Sequence, residues 1–212
     1  MRGKNVLDLG CGPVHHILSL FFRDAVQTTA VDLHQENLDF IKKCKKNSLA
    51  LPCQISAISY LYRYLLKEKH GKSQEILIKE NYNKIKRLIQ ANVLTRIEDF
   101  KTRFDSVMQI GCFGALNTLN QYRLAVSHSA CYIRPGGTLL MVNWLQPNFM
   151  VRPYSFNGRV SSVLDKKEYG QAVIDSGLMI NMLKTTTNIS VESKMHGYDK
   201  MIYLVAHKKN GY

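Results

Sequence analysis

The sequence contains no apolar run near the ~20 residues that a membrane-spanning helix needs. Its longest candidate, Ile17 to Phe22, is short and follows two histidines, His15 and His16. Paired-cysteine spacing is missing too. The five cysteines, Cys11, Cys44, Cys53, Cys112 and Cys131, are odd in number and none stands in a CxxC pattern. That excludes a recognisable zinc motif and a disulfide framework, and it points to reduced thiols in the cytoplasm. No signal-peptide pattern opens the chain, because Met1-Arg-Gly-Lys4 runs straight into an apolar strand. Repeats and low-complexity linkers are absent as well. A single domain spanning residues 1–212 is the expectation, with a core to match that length.

Acidic residues are also scarce. There are 16 of them against 29 lysines and arginines, which leaves a net charge of +13 at pH 7. Much of the excess falls in three stretches, KKCKK at 42–46, KEKHGK at 67–72 and KIKR at 84–87. A basic surface attracts nucleic acid or anionic lipid. Here no aromatic residues interleave with the basic ones in a nucleic-acid-binding motif. The reading taken is therefore a solvated basic helical face, with nucleic acid not expected as a partner and no membrane association.

What is present is an alternation of strand and helix patterns. Asn5 to Leu9 is a short apolar strand that runs into Gly-Cys-Gly-Pro13, and a helix is expected from His15 to about Arg23. Thr28 to Asp32 reads as a second strand ending in an acid. Glu36 to Lys46 then carries Leu38, Phe40, Ile41 and Cys44 at helical spacing. Strand, helix, strand, helix is the opening of a parallel α/β sheet. The stretch from Leu49 to Lys84 reads as partly helical. Ile85 to Val93 and Asp105 to Ile110 read as strands, and Leu119 to Tyr132 as a helix stopped by Arg134-Pro-Gly-Gly137. Thr138 to Asn143 is then a buried strand, and Asp165 to Asp175 a helix closed by Gly177. Two late strands, near Asn188 to Ser193 and Lys200 to His207, are expected as an antiparallel hairpin. The predicted fold is a doubly wound, Rossmann-like α/β sheet of seven strands whose last strand is antiparallel.

The chemistry concentrates in Val6-Leu-Asp-Leu-Gly-Cys-Gly-Pro13. Gly10 and Gly12 let the backbone turn tightly and let a ligand approach it. The helix that follows points free N–H groups at that ligand. A dinucleotide site would want a third glycine where His15 stands. A diphosphate cradle is thus disfavoured, and two glycines suit a ligand bearing a carboxylate. Asp32, at the end of the second strand, is placed to accept hydrogen bonds from both hydroxyls of a ribose, with Asn37 one helical turn further on.

Asp8-Leu-Gly-Cys-Gly-Pro13 followed by Val31-Asp32 resembles the first two motifs of class I S-adenosylmethionine-dependent methyltransferases. A narrower resemblance covers most of the chain. Asp32 to Leu38, Gln90-Ala-Asn-Val-Leu94, Leu119 to Ala125 with Ile133 to Leu139, Gln146 to Val151, Lys167-Glu168 with Gln171 to Gly177, and Ile202 to Lys209 follow one another in order and register. Together they resemble the small-amine N-methyltransferases, the family of nicotinamide, phenylethanolamine and indolethylamine (thioether) N-methyltransferases.

The resemblance implies S-adenosyl-L-methionine as cofactor and a small-molecule amine or pyridine-type nitrogen as acceptor, in a monomer. By position, Asp8, Gly10 and Gly12 belong to the cofactor loop, and His16 takes the place of a family tyrosine near the cofactor carboxylate. Asp32 and Asn37 would hold the ribose, Leu33 would lie against the adenine, and Asn92 and Val93 would meet its edge. Gln109 would line the cofactor pocket, while Asn143 and Phe149 fall where substrate contacts lie. No catalytic residue is implied, and no metal.

The chain departs from the family at Asn92 and Asn143, where an aspartate and, in some members, an acidic residue stand. It also begins almost on the first strand, whereas family members carry a helical segment ahead of it. A weak enzyme, restored by such a segment, is the corresponding expectation. A cofactor-binding but inactive relative and a nucleic-acid methyltransferase stay open as alternatives. Against the latter, the place where exocyclic-nitrogen methyltransferases carry Asn/Asp-Pro-Pro-aromatic reads Gln109-Ile-Gly-Cys-Phe113.

Overall fold

The computed structural model describes residues 4–14, 25–47, 79–80, 82–116, 118–145, 155–156, 159–160, 166–187 and 200–210. They fall into two compact units, residues 1–92 and 93–212.

In the first unit, strand β1 (Lys4–Leu9) leads through a tight loop and a 3₁₀ turn over Gly12–Val14. Strand β2 (Ala25–Asp32) pairs parallel to β1, with Asp8 opposite Ala30 and Leu9 opposite Val31. Helix α1 (Gln35–Asn47) follows, then β3 (Ile85–Gln90), parallel to β2, with Asp32 opposite Gln90. The strand order is β3-β2-β1. Helix α1 buries Leu38, Ile41 and Cys44, the apolar stripe of an amphipathic helix. These side chains join Cys11, Ala30, Tyr82 and Ile85 in one core. Lys45, in the last turn of α1, donates to the Ile85 carbonyl at 2.7 Å and ties the helix to the start of β3. Burial pushes the Tyr82 phenol far above its ordinary range, with the neighbouring Cys44 thiol adding to the shift.

In the second unit, β4 (Phe104–Ile110) is buried along almost its whole length. Helix α2 (Leu119–Tyr132) starts at Thr118, whose hydroxyl accepts from the Gln121 N–H at 3.1 Å. At its other end Lys208 donates to the carbonyls of Ala130 and Ile133, both at 2.9 Å, where a cation complements the helix dipole. Strand β5 (Ile133–Leu145) runs parallel to β4. A two-residue pair of strands, β6 (Ser155–Phe156) and β7 (Arg159–Val160), comes next. Helix α3 (Lys166–Asp175) precedes β8 (Leu178–Thr186) and β9 (Lys200–Lys208). The order is β4-β5-β9-β8, with β9 antiparallel to both neighbours. The seven principal strands, the first five parallel within their units and β9 reversed, are those of a Rossmann-like α/β fold.

One expectation is corrected. The segment Arg134-Pro-Gly-Gly137 does not separate α2 from a later strand, because β5 begins at Ile133. The register of β4 against β5 shifts between Phe104 opposite Ile133 and Ser106 opposite Thr138, and this irregularity absorbs the proline and the glycines. Gly137 is required there, since a Cβ would meet the Asp105 carbonyl oxygen at 2.8 Å and that of Arg134 at 2.9 Å. The strand that pairs with β9 as a late hairpin is Leu178–Thr186; Asn188–Ser193 lies outside the described residues. The expected helix from His15 to Arg23 and most of Leu49–Lys84 also lie outside them.

Candidate cofactor site

In the first unit the polar groups gather at the carboxyl ends of β1 and β2, the edge where open α/β sheets bind their ligands. Asp8 is fully buried near the end of β1. The loop after β1 is bent by Gly10 (φ 67) and Gly12 (φ 55) and is fixed to β2 by Gly10 and Cys11 N–H groups donating to the Val31 carbonyl at 2.8 and 3.0 Å. Gly12 has the left-handed backbone that disfavours any side chain, yet a Cβ there would meet nothing within 4 Å. Among the described residues nothing fills the space beside it.

Asp32 is the centre of this constellation. It is 6% exposed, and among the described residues its carboxylate accepts from three donors. The Gly12 N–H reaches Oδ2 at 2.8 Å, while the His34 N–H and the Asn37 side-chain amide reach Oδ1 at 2.9 and 3.0 Å. A carboxylate offers about four acceptor sites. Asp32 therefore holds a fixed orientation and keeps acceptor capacity for a ligand hydroxyl. The structure thus brings Gly12, Asp32 and Asn37 together, and it gives Asn37 a job the sequence did not show. Its Nδ2 aims the carboxylate.

Immediately after Asp32, the Leu33 side chain is 53% exposed, a large aliphatic surface beside a buried acid. At the end of β3, Ala91 donates to the Asp32 carbonyl at 2.9 Å, the Gln90 side chain donates to the Leu33 carbonyl at 3.2 Å, and Asn92 is exposed. His16 lies outside the described residues.

The second unit holds a different cluster. Gln109 on β4 and Asn143 on β5 are fully buried and bond to one another through both ends of their amides, at 2.9 and 2.7 Å. Asn143 Oδ1 also accepts from the Gly114 N–H at 2.9 Å, and its Nδ2 donates to the Tyr169 hydroxyl. Tyr169, on α3, stacks on Tyr122 of α2, which donates its own hydroxyl hydrogen to the Tyr169 carbonyl at 3.2 Å. The Gln109 amide sits against the turn after β4, where Gly111 has φ 77. Turned over, its oxygen would face the N–H groups of Gly111 and Cys112 at 3.0 and 2.9 Å. Amide orientation follows from such networks. Burial pushes the Tyr169 and Tyr122 phenols well above their ordinary range. Neither Gly114 nor Tyr169 stands out in the sequence as a functional residue. A tyrosine on the buried face of a helix otherwise lined by Gly, Ala and Val is the faint signal that was available.

Val93 lies half-buried in the turn ahead of β4, and its carbonyl is 3.1 Å from His128 Nδ1 on α2. Phe149 lies outside the described residues. Among the described residues no group of three or more His, Cys, Asp or Glu is placed to hold a metal, and no helix is long and apolar enough to cross a membrane. Among the described residues, Cys11, Cys44, Cys112 and Cys131 form no disulfide.

The model of the NNMT/PNMT/TEMT family matches residues 1–209. The chain belongs to that family. No curated protein matches it at a significant level. Among solved structures it is similar to a SAM-dependent methyltransferase from Methanosarcina mazei, with a TM-score of 0.67 and 12% identity over 100% of this chain and 95% of that one. It is also similar to the 1,6-didemethyltoxoflavin-N1-methyltransferase of Burkholderia thailandensis, solved with 1,6-didemethyltoxoflavin and S-adenosylhomocysteine bound. There the TM-score is 0.57 and the identity 16%, over 99% of this chain and 72% of that one. An O-methyltransferase family protein from the same bacterium gives 0.62 and 18%, over 100% and 52%. At these identities the structures establish the fold, and the family establishes the class, a S-adenosylmethionine-dependent methyltransferase. S-adenosyl-L-methionine is the cofactor of that class. The first unit fits it, since the open space at Gly12 and the oriented carboxylate of Asp32 match an amino-acid tail and a ribose.

Proposed function

We propose that this NNMT/PNMT/TEMT-family methyltransferase acts in the cytoplasm, as a monomeric single domain, on the nitrogen of a small amine or a pyridine-type ring. The observation that carries the reading is the Asp32 constellation, a carboxylate held by three protein donors beside an open glycine loop in a chain of this family. In this reading Asp8, Gly10 and Gly12 shape the loop that receives the amino-acid end, with His16 nearby. Asp32 and Asn37 receive the ribose, Leu33 lies against the base, and Asn92, Val93 and Gln109 complete the cofactor contacts. Asn143 and Phe149 border the acceptor.

The cofactor supplies a methyl group on a sulfonium. The protein's contribution is alignment and exclusion of water. A pyridine-type nitrogen has no proton to lose. An alkylamine must arrive neutral, because only its lone pair attacks.

A second reading, nucleic-acid methylation, is favoured by the charge of +13 and by the exposed Lys42, Lys43 and Lys46 on α1. One experiment separates them. The protein is incubated with S-adenosylmethionine and a panel of nicotinamide, tryptamine, phenylethanolamine and RNA, and products are read by mass spectrometry. The expected result is a small-amine product heavier by one methylene, with stoichiometric S-adenosylhomocysteine and little dependence on salt. Methylation of RNA alone, with a steep salt dependence of binding, would overturn the amine reading.

A further inference from the structure

We propose that Gln90 is a positioning residue for the base end of the cofactor, an inference that rests on the cofactor reading above. The observation is that one peptide unit is held at both of its polar ends. The unit joins Leu33 to His34. Its N–H, on His34, donates to Asp32 Oδ1 at 2.9 Å. Its C=O, on Leu33, accepts from Gln90 Nε2 at 3.2 Å.

A single bond to a peptide leaves it free to swing about the bonded atom, whereas bonds on opposite sides fix its plane. That plane sets where the Leu33 side chain points. Leu33 is the exposed aliphatic surface next to the carboxylate proposed to hold the ribose, so anything attached to that ribose lies within its reach. Gln90 stands in the right place because β3 pairs with β2 in the register Asp32 opposite Gln90, and the Ala91 N–H continues the ladder to the Asp32 carbonyl at 2.9 Å. Asp32 thereby sets the sugar end, and Gln90 sets the adjacent apolar surface, through one shared peptide. Gln90 is exposed and has no part in the core of the unit, so its variants are expected to fold.

The test compares Gln90→Met, of equal length without a donor, with Gln90→Lys, which keeps a donor. Calorimetry measures S-adenosylhomocysteine against S-ribosylhomocysteine, the same sugar and amino acid without the base. Loss of one exposed hydrogen bond predicts about a three- to tenfold weaker affinity of Gln90→Met for S-adenosylhomocysteine. The affinity for S-ribosylhomocysteine should stay unchanged, and Gln90→Lys should restore most of the loss. Amide hydrogen exchange on the ligand-free protein gives a second measure, in which the His34 N–H of Gln90→Met exchanges faster while the N–H groups of α1 do not. Equal losses for both ligands, or unaltered affinity together with unaltered exchange at His34, would overturn the proposal. Failure of the unsubstituted protein to bind S-adenosylhomocysteine at all would instead overturn the cofactor reading on which it rests.

Discussion

Asp32 and Asn143 each sit near the carboxyl end of a strand and each collects partners from several segments, yet one arrangement is open and the other closed. Asp32 is charged, accepts from three protein donors, and has capacity to spare beside a glycine loop with open space. Asn143 is neutral, and both of its amide atoms are fully occupied, by Gln109, Gly114 and Tyr169, with no exposure to solvent. A satisfied buried network fixes shape, because leaving any member unpaired in a low-dielectric interior is costly. A partly satisfied charged group at a strand end is able to receive a ligand. In the proposed reading the carboxylate receives a ligand directly, while the amide cluster fixes the shape of the wall that borders the acceptor.

Substitutions are expected to break that contrast in a graded way. Asp32→Ala should weaken binding of S-adenosylhomocysteine by about 100-fold, since charge-assisted hydrogen bonds to a ribose contribute roughly 1.5–3 kcal/mol each. Calorimetry on folded protein reads this directly, and a change below about threefold would place the ribose elsewhere. Asn143→Leu should act on the fold. It strands the Gln109 amide and the Tyr169 hydroxyl in the interior, so urea denaturation should show a loss of about 2 kcal/mol. Cofactor affinity should shift far less than in Asp32→Ala. A stable variant that binds cofactor poorly would show that Asn143, as well as Gln109, contacts the cofactor. Asn37→Ala should have the smallest effect, about a threefold loss of affinity, because an amide that orients a carboxylate contributes less than the carboxylate itself. A loss as large as that of Asp32→Ala would mean that Asn37 holds the ribose in its own right.

Local elements were legible where one pattern dominates. The strand-turn segment around Gly10 and Gly12, the acid closing β2, and the periodic stripe of α1 all read from the chain alone, and α2 runs from Leu119 to Tyr132 as its amphipathic spacing predicts. The errors fall where tertiary pairing overrides local signals. Arg134-Pro-Gly-Gly137 looks like a stop, but the neighbouring β4 accepts it through a shifted register and a close backbone approach at Gly137. Leu178–Thr186 mixes exposed and half-buried positions along the end of its sheet, so its alternation is faint beside the strong turn signal of Gly177.

Residue types and spacing singled out Asp32 and Asn37 as candidates, whereas their mutual hydrogen bond emerged only from the structure. The pairing of Gln109 with Asn143 joins residues far apart in the chain, and no local period encodes it. Tyr169 depends on the way α3 packs, which is equally invisible to spacing.

One feature of the first unit bears on how the protein behaves in a crowded solution. Among the described residues, strand β3 ends its row of strands, and it carries the exposed Lys86 and Arg87 in succession. A terminal strand offers unpaired backbone groups to any other strand that comes alongside, which is the first step of aggregation. Two adjacent cations make a second copy of the same strand an electrostatically repelled visitor. Part of the surplus charge therefore acts as colloidal protection, keeping separate molecules apart at low ionic strength and losing its reach as salt shortens the screening length.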